Sequence, residues 1–121
     1  MEPVSIIVAA LVAGAAAAAK DMAAQAIKDA YAGFKALIQR KYEGVSVDAL
    51  ERKPDSEAKQ LSVQEDLTDA GAGKDMELLD QAKALLDAVK AHDQAAAASI
   101  NIGLDEVEAA YLKLKDAAAT G

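Results

Sequence analysis

From Pro3 to Ala19 the chain carries no charged side chain, and Ser5 supplies the only side-chain hydrogen-bonding group in the run. No other feature limits the possible folds as much. A helix over these residues is apolar on every face, and such a helix is stable only where it is surrounded, in a protein core or in lipid. Three roles are open to it: a signal peptide that is later removed, the core helix of a bundle, or a helix aimed at a membrane. "AAAAAK" offers small residues for cleavage, yet Glu2 precedes the run with no Lys or Arg, the reverse of a positive n-region.

The class is all-α. Alanine, the best helix former because it loses no side-chain entropy in a helix, recurs along the whole chain, with few β-branched runs and only two prolines. A length of 121 residues suits one domain, 1–121, with a modest core. The first helix is expected over about 3–42, with Pro3 near its first position. It is bent or broken near Gly14 or Lys20-Asp21 and is ended by Gly44. Beyond Asp21 it turns amphipathic, and Met22, Ile27, Tyr31, Phe34 and Ile38 make one apolar stripe. Ser46 is placed to cap a short turn holding Val47 and Leu50.

After "ERKPDSE" a helix over roughly 56–70 carries a thin stripe of Leu61, Val63 and Leu67. "AGAGKD" stops it, and Asp75 is a good N-cap for a helix over about 76–98. There Leu78, Ala82, Leu85 and Val89 form a ridge, with Leu79 and Leu86 beside it. "SINIG" interrupts the pattern, and Leu104, Val107, Tyr111 and Leu114 then repeat at helical spacing as a seam that wants a partner helix. The expected architecture is a compact bundle of four to five helices. Its core draws on Ile27, Tyr31, Phe34, Ile38, Leu78, Leu85, Val89, Leu104, Val107, Tyr111 and Leu114.

The chemistry of the chain points away from catalysis. With no cysteine there is no disulfide framework and no thiolate metal site. His92 is the only histidine, and the pairs Glu65-Asp66 and Asp105-Glu106 are sequence neighbours that do not share a helical face. No His/Glu spacing suits a metal, no Gly-rich phosphate loop follows a strand, and no catalytic residue or cofactor is expected. A net charge of −7 argues against nucleic acid. That charge is uneven: residues 1–42 hold five basic and three acidic side chains (+2), and residues 43–121 hold eight and seventeen (−9). The apolar arm is also the cationic arm, so an anionic membrane would attract it and repel the remainder.

The opening "MEPVSIIVAALVAGAAAAAKDMAAQAIKDAYAGFKALIQRKY" resembles the N-terminus of bacterial HeLo-like domains, called Bell domains. The likeness rests on the apolar start, the Lys20-Asp21 hinge and "AIKDAYAGFKALI", within residues 1–42. It implies a bundle related to fungal HeLo domains and to the four-helix executioner domain of necroptosis. It also implies a non-enzymatic effector of regulated cell death in bacterial immunity, cytoplasmic at rest and moving to the inner membrane. In that family, amyloid motifs shared with a signalling receptor protein gather the bundles. The N-terminal helix is then released and the membrane is permeabilised.

On that resemblance Val4, Ile6, Ile7, Val8, Leu11 and Val12 would insert, while Lys20, Lys28, Lys35, Arg40 and Lys41 would meet anionic headgroups. Residues 3–19, at about 1.5 Å each, reach roughly 25 Å, just short of a hydrocarbon core of about 30 Å. Ala10, Gly14 and Ala18 have the small-xxx-small spacing that lets helices approach closely in lipid. The family's motif has a core of the form Ile/Val-Gln-Ile/Val-Gly. Ile100-Asn101-Ile102-Gly103 departs from it by Asn for Gln and reads better as a helix break, so the motif is expected beyond Gly121. The other reading is a non-toxic adaptor whose Leu104–Leu114 seam or Leu78–Val89 ridge binds a partner helix.

Overall fold

The computed structural model describes residues 2–45, 47–98 and 104–120, with the side chains of Leu104 and residues 118–120 left aside. The described residues form seven helices and no strand: α1 (Pro3–Ala18), α2 (Gln25–Lys41), α3 (Val47–Arg52), α4 (Glu57–Asp69), α5 (Met76–His92), α6 (Gln94–Ala98) and α7 (Leu104–Thr120). A 3-10 turn, Ala72–Lys74, joins α4 to α5. The all-α class holds, and five of the helices are long. Ser46 and the Ile100–Gly103 stretch lie outside the described residues.

The helix expected over 3–42 is two helices separated by residues 19–24. Met22, expected on the buried stripe, lies in that connection and is 96% exposed, because the interruption takes it off the helical period. Ile27, Tyr31, Phe34 and Ile38 are buried, joined by Leu37. Likewise the helix expected over 76–98 breaks at Asp93, whose carboxylate accepts the Ala96 amide at 3.1 Å and starts α6. Leu61 faces outward and is 63% exposed, leaving Val63 and Leu67 as the buried face of α4. Two N-caps follow the usual rule: Ser56 accepts from the Lys59 amide and Asp75 from the Leu78 amide. Gly71, at φ +77°, supplies the left-handed residue that turns the chain after α4.

α1 sits at the centre. It touches each of the other helices and the 3-10 turn, most extensively α5. Its burial is not one-sided: Ile6, Ile7, Val8, Ala9 and Ala10, five consecutive positions that sweep a full turn and more, are all buried. Pro3 and Val4 lie against Gly73 beside the start of α5, where Lys41 at the end of α2 also reaches Asp75. Lys20, in the connection between α1 and α2, instead reaches Asp93 past the far end of α5. Therefore α1 and α2 run as a hairpin along α5, α1 parallel to it and α2 antiparallel.

Gly14 lets this hairpin close on α5. A Cβ there would stand 2.7 Å from Leu85 Cδ2 and 2.8 Å from Tyr31 Cδ1, inside van der Waals contact. Both neighbours are buried, and the Tyr31 ring is further held by its hydroxyl hydrogen bond to Glu51. Gly14→Ala gains about 1 kcal/mol of helix propensity but overpacks the site, a cost of about 1–3 kcal/mol. A net destabilisation of about 1 kcal/mol is expected in urea unfolding; a stabilised variant would show that Leu85 has room to move.

Candidate functional site: the apolar helix and its cationic flank

α1 offers no reactive group, so what it can do follows from surface alone. Val4, Ile6, Ile7, Val8, Leu11 and Val12, the side chains expected to insert, are all buried among the other helices. Each buried aliphatic side chain of this size is stabilised by about 1.5–3 kcal/mol relative to exposure. Six of them amount to something on the order of 10 kcal/mol, comparable to the whole net stability of a small domain. In water α1 cannot leave the bundle. Its 16 residues extend about 24 Å, and no described helix is long and apolar enough to cross a membrane.

The five cations expected to meet headgroups are not equally available. Lys20 Nζ stands 2.9 and 2.6 Å from the two carboxylate oxygens of Asp93. Lys41 Nζ stands 3.1 Å from Asp75 Oδ2 and 2.6 Å from Glu77 Oε1. Lys35 donates to Glu51 at 2.7 Å, with Asp48 at 3.4 Å. Lys28 and Arg40 are exposed and make no ion pair among the described residues. Thus three of the five positive charges of the arm are matched by acids that belong to the anionic remainder of the chain.

Local electrostatics keep these pairs charged. The hydrogen bond from Lys20, helped by the Ala96 amide, holds the Asp93 carboxyl below its ordinary value. Burial pushes Asp75 up, but the Tyr42 hydroxyl at 2.8 Å, the Leu78 amide and Lys41 outweigh it and hold it low. Glu77 and Asp75 raise Lys41, and Glu51 raises Lys35. Burial, with the acceptor Glu51 beside it, raises the Tyr31 phenol. No polar or charged side chain is buried among the described residues, and no group of acids and histidine stands ready to hold a metal there.

Of the remaining expected core residues, Leu78, Leu85, Val89 and Val107 are buried, while Tyr111 and Leu114 are partly buried against the core. The Leu104 side chain lies outside the described ones. The ridge and the described part of the seam therefore already have partners inside the bundle. Tyr111 is tied to α5 by its hydrogen bond to Asp80, and Lys83 and Lys115 lie near its ring, 5.8 and 5.7 Å from the centroid. Nothing in the sequence marks Asp93, Glu77 and Glu51 as partners of the arm, and Asp75 reads there only as a cap.

Comparison with known proteins adds the family. No curated protein and no solved structure gives a significant match. A family model described as the Het-E N-terminal domain matches residues 1–113, which takes in every helix through most of α7. An apolar helix enclosed by six others, with a cationic flank held by acids, is thus the arrangement found here in a member of that family. The chain belongs to the Het-E N-terminal domain family, a HeLo-like group of helical domains related to cell death.

Proposed function

We propose that this domain is a membrane-permeabilising effector of bacterial regulated cell death, a Bell-type member of the HeLo-like group that acts without enzymatic chemistry. One observation carries the reading: α1 is buried on every face at the centre of the bundle. A helix enclosed in this way has one alternative environment that returns its burial, the hydrocarbon of a bilayer. At about 24 Å, α1 is short for a lone span, so it enters as one of several copies, thinning the bilayer or lying in its interface.

Clustering supplies the drive. Gathering copies through an amyloid motif shared with a receptor protein raises their effective concentration at the inner membrane from a cytoplasmic resting state. The population then shifts from bundles with α1 inside to bundles with α1 in lipid. Lys20, Lys28, Lys35, Arg40 and Lys41 meet anionic headgroups, and no nucleic acid or cofactor takes part. Cleavage of residues 3–18 as a signal peptide would remove the helix around which the others are built.

The test is dye release from anionic liposomes by the full chain, with and without a fused oligomerisation tag. Leakage is expected only from the clustered protein, and is expected to vanish when residues 2–19 are deleted. A folded, clustered full-length domain that leaves liposomes sealed would overturn the reading and turn attention to a protein partner.

A further inference from the structure

Two of the ion pairs share an unusual construction. Asp75 and Asp93 are both helix N-caps: Asp75 Oδ1 accepts the Leu78 amide at 3.1 Å, and Asp93 Oδ1 accepts the Ala96 amide at 3.1 Å. Each carboxylate also holds a lysine of the cationic arm, Lys41 in one case and Lys20 in the other. They stand at opposite ends of α5, so together they tie the α1–α2 hairpin to that helix at both ends. The carboxylates are mostly shielded, while the lysine side chains remain 49% (Lys20) and 32% (Lys41) exposed.

That asymmetry matters for what happens when a lysine departs. Its aspartate keeps its capped amide, from Leu78 in one case and Ala96 in the other, so the carboxylate is not left without a donor. Asp75 keeps the Tyr42 hydroxyl as well. Lys35 differs: its partner Glu51 caps no helix amide among the described residues, so the departure of Lys35 would leave it the Tyr31 hydroxyl alone. Lys20 and Lys41 are therefore the paired lysines whose release leaves a capped carboxylate behind.

We propose that Lys20 and Lys41 are a masked anion-binding pair, held at rest by the capping carboxylates Asp93 and Asp75 and surrendered to the phosphates of an anionic lipid surface. Binding to such a surface and loosening of the α1–α2 hairpin are then one event, because the same two ammonium groups cannot serve both partners. The inference rests on the reading that the domain meets a membrane, and adds what holds it closed until then.

The test opposes two sets of substitutions that break the same pairs. D75N/E77Q/D93N frees both lysines and preserves capping, since Asn caps as well as Asp. K20Q/K41Q breaks the pairs from the other side and removes the ligands. D55N/E65Q/D69N changes net charge as much as the first variant, at exposed acids that pair with no cation among the described residues. Binding is read by co-sedimentation of the full chain with phosphatidylcholine vesicles, with and without phosphatidylglycerol, and thermal unfolding checks that each variant is folded.

Each lysine delivered to an anionic surface tightens binding about fivefold, so D75N/E77Q/D93N is expected to bind phosphatidylglycerol vesicles roughly twenty- to thirtyfold more tightly than the charge-matched control. K20Q/K41Q is expected to bind more weakly than the unsubstituted chain. Equal binding by D75N/E77Q/D93N and the control would overturn the proposal. So would tight binding by K20Q/K41Q, absence of vesicle binding by every variant, or equal competition by soluble glycerol phosphate. Failure of the effector reading is seen separately, as no leakage from the clustered unsubstituted chain.

Discussion

Leu85→Ala is expected to destabilise the resting bundle by about 2–5 kcal/mol and, at the same time, to make the clustered protein leak at lower density. Leu85 is fully buried on α5 and forms the wall that Gly14 closes on. Truncating it removes transfer energy and leaves a cavity beneath α1, which is the source of that range. The contacts with α1 are lost when α1 is in lipid, so that share of the loss acts on the closed state alone. A narrowing of the gap by about 3 kcal/mol raises the open population about a hundredfold. The measurement pairs urea unfolding with dye release at graded tag density, at a temperature where the variant is still folded. An unchanged leakage threshold in a destabilised variant would mean that bundle stability does not gate the lesion.

Ile7→Asp is expected to do the reverse, losing stability and leakage together. Ile7 is fully buried in the second turn of α1, and an isolated carboxylate there has no partner and no water, a penalty of several kcal/mol. The bilayer does not relieve it, because an Asp within the apolar run of an inserted helix is still penalised, by up to about 2.5–3.5 kcal/mol at the helix centre. Both substitutions loosen the bundle, yet only one leaves α1 fit for hydrocarbon. Leakage from Ile7→Asp equal to that of the unsubstituted protein would show that α1 stays out of lipid. Clustered Leu85→Ala and Ile7→Asp, measured side by side, separate a helix that acts by entering the bilayer from one whose unfolding alone disturbs it.

How far these features were readable from the sequence depends on the kind of force involved. The central position of α1 was legible, because a run with no charge from Pro3 to Ala19 has no face to offer water. The ridge Leu78–Ala82–Leu85–Val89 was legible for the opposite reason, a helical period with polar residues between. The sequence offers Gly14 or Lys20-Asp21 for the break; α1 runs on through Gly14 and ends at Ala18, and the length of the connection to Gln25 is not legible. Met22, Ala23 and Ala24 are good helix formers, and only the requirement that α2 fold back along α1 takes them out of a helix. Asp93 does not stand out as a cap, since it lies between His92 and Gln94 inside an alanine-rich stretch that reads as continuous helix. The ion pairs were invisible: Lys20 and Asp93 are 73 residues apart, Lys41 and Asp75 34. Periodicity says which face is buried, not which charges meet across two elements.

The place of α5 has one more consequence. Its ridge lies against α1, so a bundle that gives up α1 is left with an apolar trench where the helix had been. Open patches of that size are rarely tolerated in water, and the cheapest cover is the same trench on a neighbouring copy. On the proposed function, a lone molecule that released α1 would face two unsatisfied surfaces at once, the helix and the hollow behind it, and would fall back shut. Among crowded copies at a membrane both find cover together. On the proposed function, a fold wound around such a helix carries a quorum requirement, with opening reserved for gathered copies.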